Sequence, residues 1–119
     1  MKNPELKNLH LTLKKKWFDM IASGIKKEEY REIKPYWNRR LGRHGTDFVY
    51  GVVIFKNGYS RTAPTMAFVI NRITTGLPRI VWTDQPLKEC YIIELGYQIN
   101  LNYGNSREEK EKRTDPGTA

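Results

Sequence analysis

The chain has 119 residues, 39% of them hydrophobic and 29% charged, with a formal charge of +8 at pH 7. That length holds one hydrophobic core but not two, and no apolar run reaches the roughly 20 residues of a membrane-spanning helix. With one cysteine, Cys90, no internal disulfide can form, and Met1 to Lys7 is charged with no apolar stretch behind it, so a cytoplasmic, membrane-free protein is expected.

Leu9, Leu11 and Leu13 alternate with His10 and Thr12, the period-2 pattern of a half-buried first strand. From Lys14 to Ser23, Trp17 and Ile21 stand four apart, with Phe18 and Met20 widening the apolar face of an amphipathic helix that Gly24 ends. Glu28 to Ile33 reads as a polar second strand, and Lys34-Pro35 opens a second short helix that runs to Leu41 before Gly42 and Gly45. Phe48 to Phe55 is a strongly apolar strand closed by the turn dipeptide Asn57-Gly58. Met66 to Thr75 and Cys90 to Leu101 are two more β-rich segments; the Pro-containing stretch between them is a surface loop holding a strand-like piece at Arg79 to Trp82. Five to six strands and two early helices predict an α+β protein with a small mixed barrel rather than βαβ units. The domain is expected over residues 1–103, with residues 104–119 a mobile tail of balanced charge and no apolar face.

The charge is concentrated. Residues 1–45 hold 12 Lys/Arg against 5 Asp/Glu, residues 46–105 hold 5 against 4, and residues 106–119 hold 4 against 4. A basic half beside a near-neutral remainder suits a phosphate-bearing partner, since most nonspecific nucleic-acid affinity comes from neutralising backbone charge. Solubility alone is the plain alternative.

Within the basic half, Gly24, Lys26, Glu29 and Arg31 form a G-x-K-x-x-E-x-R pattern. If Glu28 to Ile33 is a strand, Glu29, Arg31 and core-directed Ile33 share one face, and Glu28, Tyr30 and Glu32 share the other. An acid and a base then sit at the mouth of the barrel, paired with each other and open to a ligand. Lys26 precedes the strand, so its direction stays open. Converging on the same cleft, it could bind phosphate or a nucleobase, or act as a base with a lowered pKa. A structural salt bridge at a sheet edge explains the same spacing without a ligand. Tyr36 and Arg40 share a helix stripe beside Trp37, Arg39 and Arg43 and are candidates for base stacking and phosphate contact, with Trp37 and Trp17 as core anchors. Lys15 and Lys16 follow Lys14 at the start of the first helix, where they could hold phosphates or simply solvate it.

The four motif residues, preceded by an aromatic-bearing helix, resemble the recurrent motif of the ASCH family of small PUA-like barrel domains. The resemblance covers roughly the first third of the chain and implies a PUA-like β-barrel that binds or processes RNA in a cleft lined by the motif. On that reading Lys26 and Arg31 bind phosphate or base, Glu29 orients them or accepts from a base amino group, and Tyr36 and Arg40 extend the surface. One branch of similar proteins hydrolyses acetylated cytidine with the motif lysine, a threonine three residues on and a distant glutamate. Here Glu29 takes the threonine place, and Glu89 and Glu94 are the only glutamates between residues 33 and 107. The alternative to binding is therefore a hydrolase acting on a modified-nucleoside amide or on RNA, with Lys26 as base or activator and Glu29 as its partner.

Other chemistries find little footing. Two histidines, one cysteine and no paired ligand spacing predict no metal. No phosphate-cradling or dinucleotide glycine motif predicts a cofactor. Cys90 reads as buried and inert. A monomer is the default expectation.

Overall fold

The computed structural model describes residues 5–42 and 48–100. The chain runs β1 (Glu5–Thr12), α1 (Lys15–Ala22), β2 (Glu28–Glu32), α2 (Pro35–Leu41), β3 (Phe48–Lys56), β4 (Thr65–Gly76) and β5 (Cys90–Ile99). The five strands form one mixed sheet in the order β1-β3-β4-β5-β2, curled into a half-barrel. Only the β1–β3 pair is parallel; the β3–β4, β4–β5 and β2–β5 pairs are antiparallel. Register shifts at Phe68/Ile70 and Ile70/Arg72 of β4 place bulges mid-sheet, and bulges increase local twist and bend a strand. The curl brings β1 and β2, the two edges, towards each other.

The core lies inside the curl. Leu9, Leu11 and Leu13 alternate inward with Val53 and Phe55 of β3, Met66, Phe68 and Ile70 of β4, and Ile93 and Leu95 of β5. Ile21 of α1 and Leu41 of α2 complete it, with Phe18 and Trp37 packed against its side. The alternation in β1 is thus that of a strand with one buried face. Among the described residues no helix is long and apolar enough to cross a membrane.

Gly24 stops α1 because its φ is +85°, in the left-handed region. Its N–H donates to the Ile21 carbonyl at 3.0 Å, while the N–H groups of Ile25 and Lys26 both donate to the Met20 carbonyl, also at 3.0 Å. That turn fixes where Lys26 begins. A Cβ at Gly24 would meet nothing within 4 Å, so Gly24→Ala tests backbone strain alone. It is expected to lower stability by about 1 kcal/mol, read as a lower urea midpoint at unchanged m-value.

Two sequence expectations are corrected here. Ile33 was expected to face the core, but β2 ends at Glu32 and Ile33 is 45% exposed; its partner strand β5 begins at Cys90, opposite Glu32, so Ile33 has no strand to pair with. Arg79 to Trp82 was expected to be strand-like, but Ile80–Trp82 is a 3-10 turn closed by Trp82 N–H to the Arg79 carbonyl at 3.0 Å. Of the expected five to six strands, the described residues contain five. The expected tail over residues 104–119, together with Arg43 and Gly45, lies outside the described residues.

Candidate functional site

Where the half-barrel fails to close, β1 and β2 face each other across a seam. Arg31 stitches it: Nη2 donates to the Thr12 carbonyl of β1 at 3.2 Å, and Nη1 donates to the Tyr30 carbonyl of β2 at 2.8 Å and to Glu29 Oε2. Its guanidinium also lies 5.4 Å from the Trp37 ring centroid. The motif arginine thus replaces the backbone ladder that a closed barrel would have between these strands.

Lys26 sits behind Glu29. Its ammonium donates to the Glu28 carbonyl at 2.6 Å and the Trp82 carbonyl at 3.0 Å, and pairs with Glu29 Oε1 at 3.1 Å. Three acceptors meet the three donors of an ammonium. The residue is 2% exposed, with the rings of Tyr30 and Trp17 at 4.6 and 5.2 Å. Glu29, 5% exposed, therefore joins two cations, Lys26 through one oxygen and Arg31 through the other. Burial pulls the Lys26 pKa below its ordinary value, and the Glu29 carboxylate acts against that shift. The bond to Trp82 reaches across 56 residues and ties the 77–89 segment to the motif.

A cleft of about 510 Å³ opens along the seam. Residues 10–14 form one wall and residues 29–32 the other, while Tyr36 and Trp37 of α2, Tyr59 of the β3–β4 turn and residues 82–85 close its ends and rim. Six Trp and Tyr residues are among those that line it: Trp17, Tyr30, Tyr36, Trp37, Tyr59 and Trp82. Tyr59 is 91% exposed, so its ring does nothing for the core. At the mouth, Lys14 Nζ stands 3.4 Å from Asp84 Oδ2, an exposed pair that joins the start of α1 to the 77–89 segment. Tyr30 contributes its hydroxyl as a donor to Glu28 Oε1 at 2.7 Å and as acceptor for the Arg79 N–H at 3.1 Å; burial pushes its pKa up.

The residues singled out in the sequence have separate fates. Lys26, Glu29 and Arg31 converge, and Glu29 and Arg31 line the cleft, but the Lys26 ammonium does not reach it. Tyr36 lines the cleft, and the Arg40 guanidinium, which is outside that lining, lies 4.4 Å from the Tyr36 ring centroid. Lys15 and Lys16 are exposed and outside the cleft: Lys15 pairs with Asp19 at 2.6 Å, and the Lys16 ammonium lies 4.6 Å from the centroid of the Trp17 ring. Tyr59 and Trp82 escaped sequence reasoning. The signal was there, since each is an aromatic residue inside a polar or Pro-flanked turn where no core pattern requires one.

Among the described residues no group of three or more His, Cys, Asp or Glu could hold a metal ion. Cys90 is buried at the start of β5, and burial raises its thiol pKa. It is expected to react with a disulfide reagent at pH 8 at least about tenfold more slowly in the native protein than in denaturant. Equal rates would mean that this end of β5 opens freely.

Comparison of the chain with protein-family models, with curated proteins and with solved structures finds no match.

Proposed function

We propose that the chain binds RNA or a modified nucleotide through the seam cleft, as a small ASCH-like domain of the PUA-like barrel type. The observation that carries this reading is the composition of the cleft: six Trp and Tyr residues line it together with Glu29 and Arg31, and Lys14, Glu32 and Asp84 are its other charged lining residues. Rings of Trp and Tyr stack on nucleobases, each stacked base contributing roughly 1–3 kcal/mol, and a carboxylate beside a guanidinium offers an acceptor and donors to a base edge. The volume falls in the range of small-ligand sites, large enough for one nucleotide rather than a helix. Stability alone does not require the triad, because replacing a buried ion pair by apolar residues of equal volume is often neutral or stabilising. The excess of basic residues in the first 45 supplies the long-range attraction.

Titration of the intrinsic tryptophan fluorescence with single-stranded RNA oligonucleotides, nucleosides and nucleotides tests this. Saturable binding is expected, with the RNA affinity falling linearly on a log–log salt plot by about 0.7 per phosphate contacted. Absence of binding by all of these ligands at low salt would sink the proposal.

The lowered pKa of Lys26 favours a second reading, hydrolysis of a modified-nucleoside amide or of RNA. It asks the Lys26 amine to leave its three acceptors and turn into the cleft, with Glu29 already facing it. Turnover of acetylated cytidine or RNA by the wild type, abolished by Lys26→Arg while binding persists, would establish it. Binding without turnover leaves the first reading.

A further inference from the structure

Next to the seam cleft is a second cavity, about 290 Å³, lined by Tyr36, Arg39, Arg40 and Tyr50. Resting on the proposed base-binding cleft, we infer that this cavity holds a phosphate of the nucleotide whose base occupies the seam.

Three observations carry the inference. Tyr36 is common to both linings, so one side chain separates the two cavities. A nucleotide has the same layout, a flat base and a phosphate joined by a sugar. The second lining also differs from the first in charge: its described residues are two arginines and two tyrosines, whereas Glu29, Glu32 and Asp84 line the first. Among the described residues neither Arg39 nor Arg40 is paired with an acid, whereas Lys14, Lys15, Lys34 and Arg72 are each paired with one. Arginine keeps its charge at any working pH and presents a planar fork that fits phosphate oxygens. Finally, Arg40 is held in place before any ligand arrives. Its guanidinium lies over the Tyr36 ring, 4.4 Å from the centroid, and Tyr36 meets Trp37 edge-on at 4.8 Å, with the Trp37 centroid in turn 5.4 Å from the Arg31 guanidinium. The order along α2 is therefore guanidinium, aromatic ring, base cleft.

The simpler account of these arginines is the end of a helix, since both lie in the last turn of α2 and favour its negative pole. That pole explains two positive charges. It does not explain a cavity between them and Tyr50 on another element, nor the wall it shares with the cleft.

The test measures dissociation constants for adenosine, guanosine, cytidine and uridine, each as the nucleoside, the 5′-monophosphate and the 3′-monophosphate, with inorganic phosphate as a separate probe. For at least one base, one monophosphate is expected to bind about tenfold or more tightly than its nucleoside. The preferred isomer tells which side of the sugar faces α2. Arg39→Gln should reduce that advantage without changing nucleoside affinity, and Arg39→Gln with Arg40→Gln should remove it. Lys15→Gln with Lys16→Gln removes the same charge from α1 and should preserve it. The inference is overturned if nucleoside and monophosphates bind alike, if the advantage survives the double arginine substitution, or if the lysine pair abolishes it equally. In those cases nucleoside binding still upholds the cleft as a base site. If no nucleoside or nucleotide binds, the cleft reading falls and the phosphate site with it. Inorganic phosphate binding as tightly as the monophosphates would mark a free-anion site and also overturn the inference.

Discussion

Glu29→Ala is expected to remove about 3–5 kcal/mol of stability, a large fraction of the roughly 5–15 kcal/mol that holds a domain together. The substitution leaves the Lys26 ammonium, 2% exposed, facing two carbonyls and the like charge of Arg31 with no anion between them. Breaking one partner out of a buried ion pair is far costlier than never having built it. Glu29→Gln keeps an oxygen for the ammonium and a similar shape, so its loss should be smaller, with Lys26 driven still further below its ordinary pKa because the group that opposes the shift is gone. The folded chain then binds that proton less readily than the unfolded chain. Between the depressed pKa and the ordinary value of 10.5, this group makes stability rise with pH. Below that window its burial is a penalty carried in full. Lys26→Met combined with Glu29→Gln should recover part of what Glu29→Ala loses, since no ammonium is then stranded and the more exposed Arg31 keeps the Tyr30 and Thr12 carbonyls and gains the new amide oxygen in place of the carboxylate. Urea unfolding at neutral pH measures all three. A Glu29→Ala loss under about 1 kcal/mol would mean that Lys26 sheds its proton or finds water at little cost, contrary to the packing around it.

The same geometry changes what Lys26 variants can say about function. The ammonium holds the Trp82 carbonyl, and residues 82–85 are a rim of the cleft. Lys26→Ala is therefore expected to weaken binding by loosening that rim, even though the lysine touches no ligand. A binding loss counts as contact only when stability and the position of Trp82 are unchanged.

Tyr59→Ala is expected to separate binding from folding in the opposite sense. At 91% exposed, the ring can be removed within about 0.5 kcal/mol of stability. On the proposed function it stacks on a base at the rim, so its loss should weaken RNA or nucleotide affinity roughly tenfold or more. Tyr59→Phe should bind nearly as well as the wild type, because stacking uses the ring and not the hydroxyl. Isothermal titration with the tightest ligand found reads both, with thermal unfolding as the control for stability. Unchanged affinity in Tyr59→Ala would confine the ligand to the inner part of the seam, among Glu29, Arg31 and Trp37.

Together the two experiments sort the motif region into supports and contacts. Glu29 belongs to both, as the counter-ion of Lys26 and as a cleft-facing carboxylate. Arg31 does too, since it bridges Thr12 of β1 to β2 and lines the cleft between them. Tyr59 and Tyr36 face the cleft with little part in the core, Tyr36 being 46% exposed.

What could be read from residues alone was local. The alternation of Leu9, Leu11 and Leu13, the four-residue spacing of Trp17 and Ile21, the stop at Gly24 and the start at Pro35 each depend on neighbours within one turn or one strand, and both helices formed where that pattern placed them, while β1 begins at Glu5, four residues before the leucine alternation, and ends at Thr12. The pairing of Glu29 with Arg31 was legible for the same reason, as the two stand on one face of one strand, whereas the direction of Lys26, which precedes that strand, stayed open. Ile33 and the Arg79 to Trp82 piece misled because both carry strand-like composition where no partner strand meets them: β5 starts only opposite Glu32, and a turn hydrogen bond closes Arg79 to Trp82.

The amino-acid sequence by itself determined the two helices, the alternation of the apolar strands, the turn at Gly24 and the Glu29–Arg31 pair, because short-range sterics and periodicity suffice for them. Only the tertiary structure decided that Lys26 joins that pair and that its ammonium is buried behind it. The curl of the sheet sets Thr12 against Arg31, the 77–89 segment brings the Trp82 carbonyl onto Lys26, and the β3–β4 turn carries Tyr59 to the rim. Those contacts join residues far apart in the chain, and no local pattern encodes the direction in which a barrel leaves its seam open.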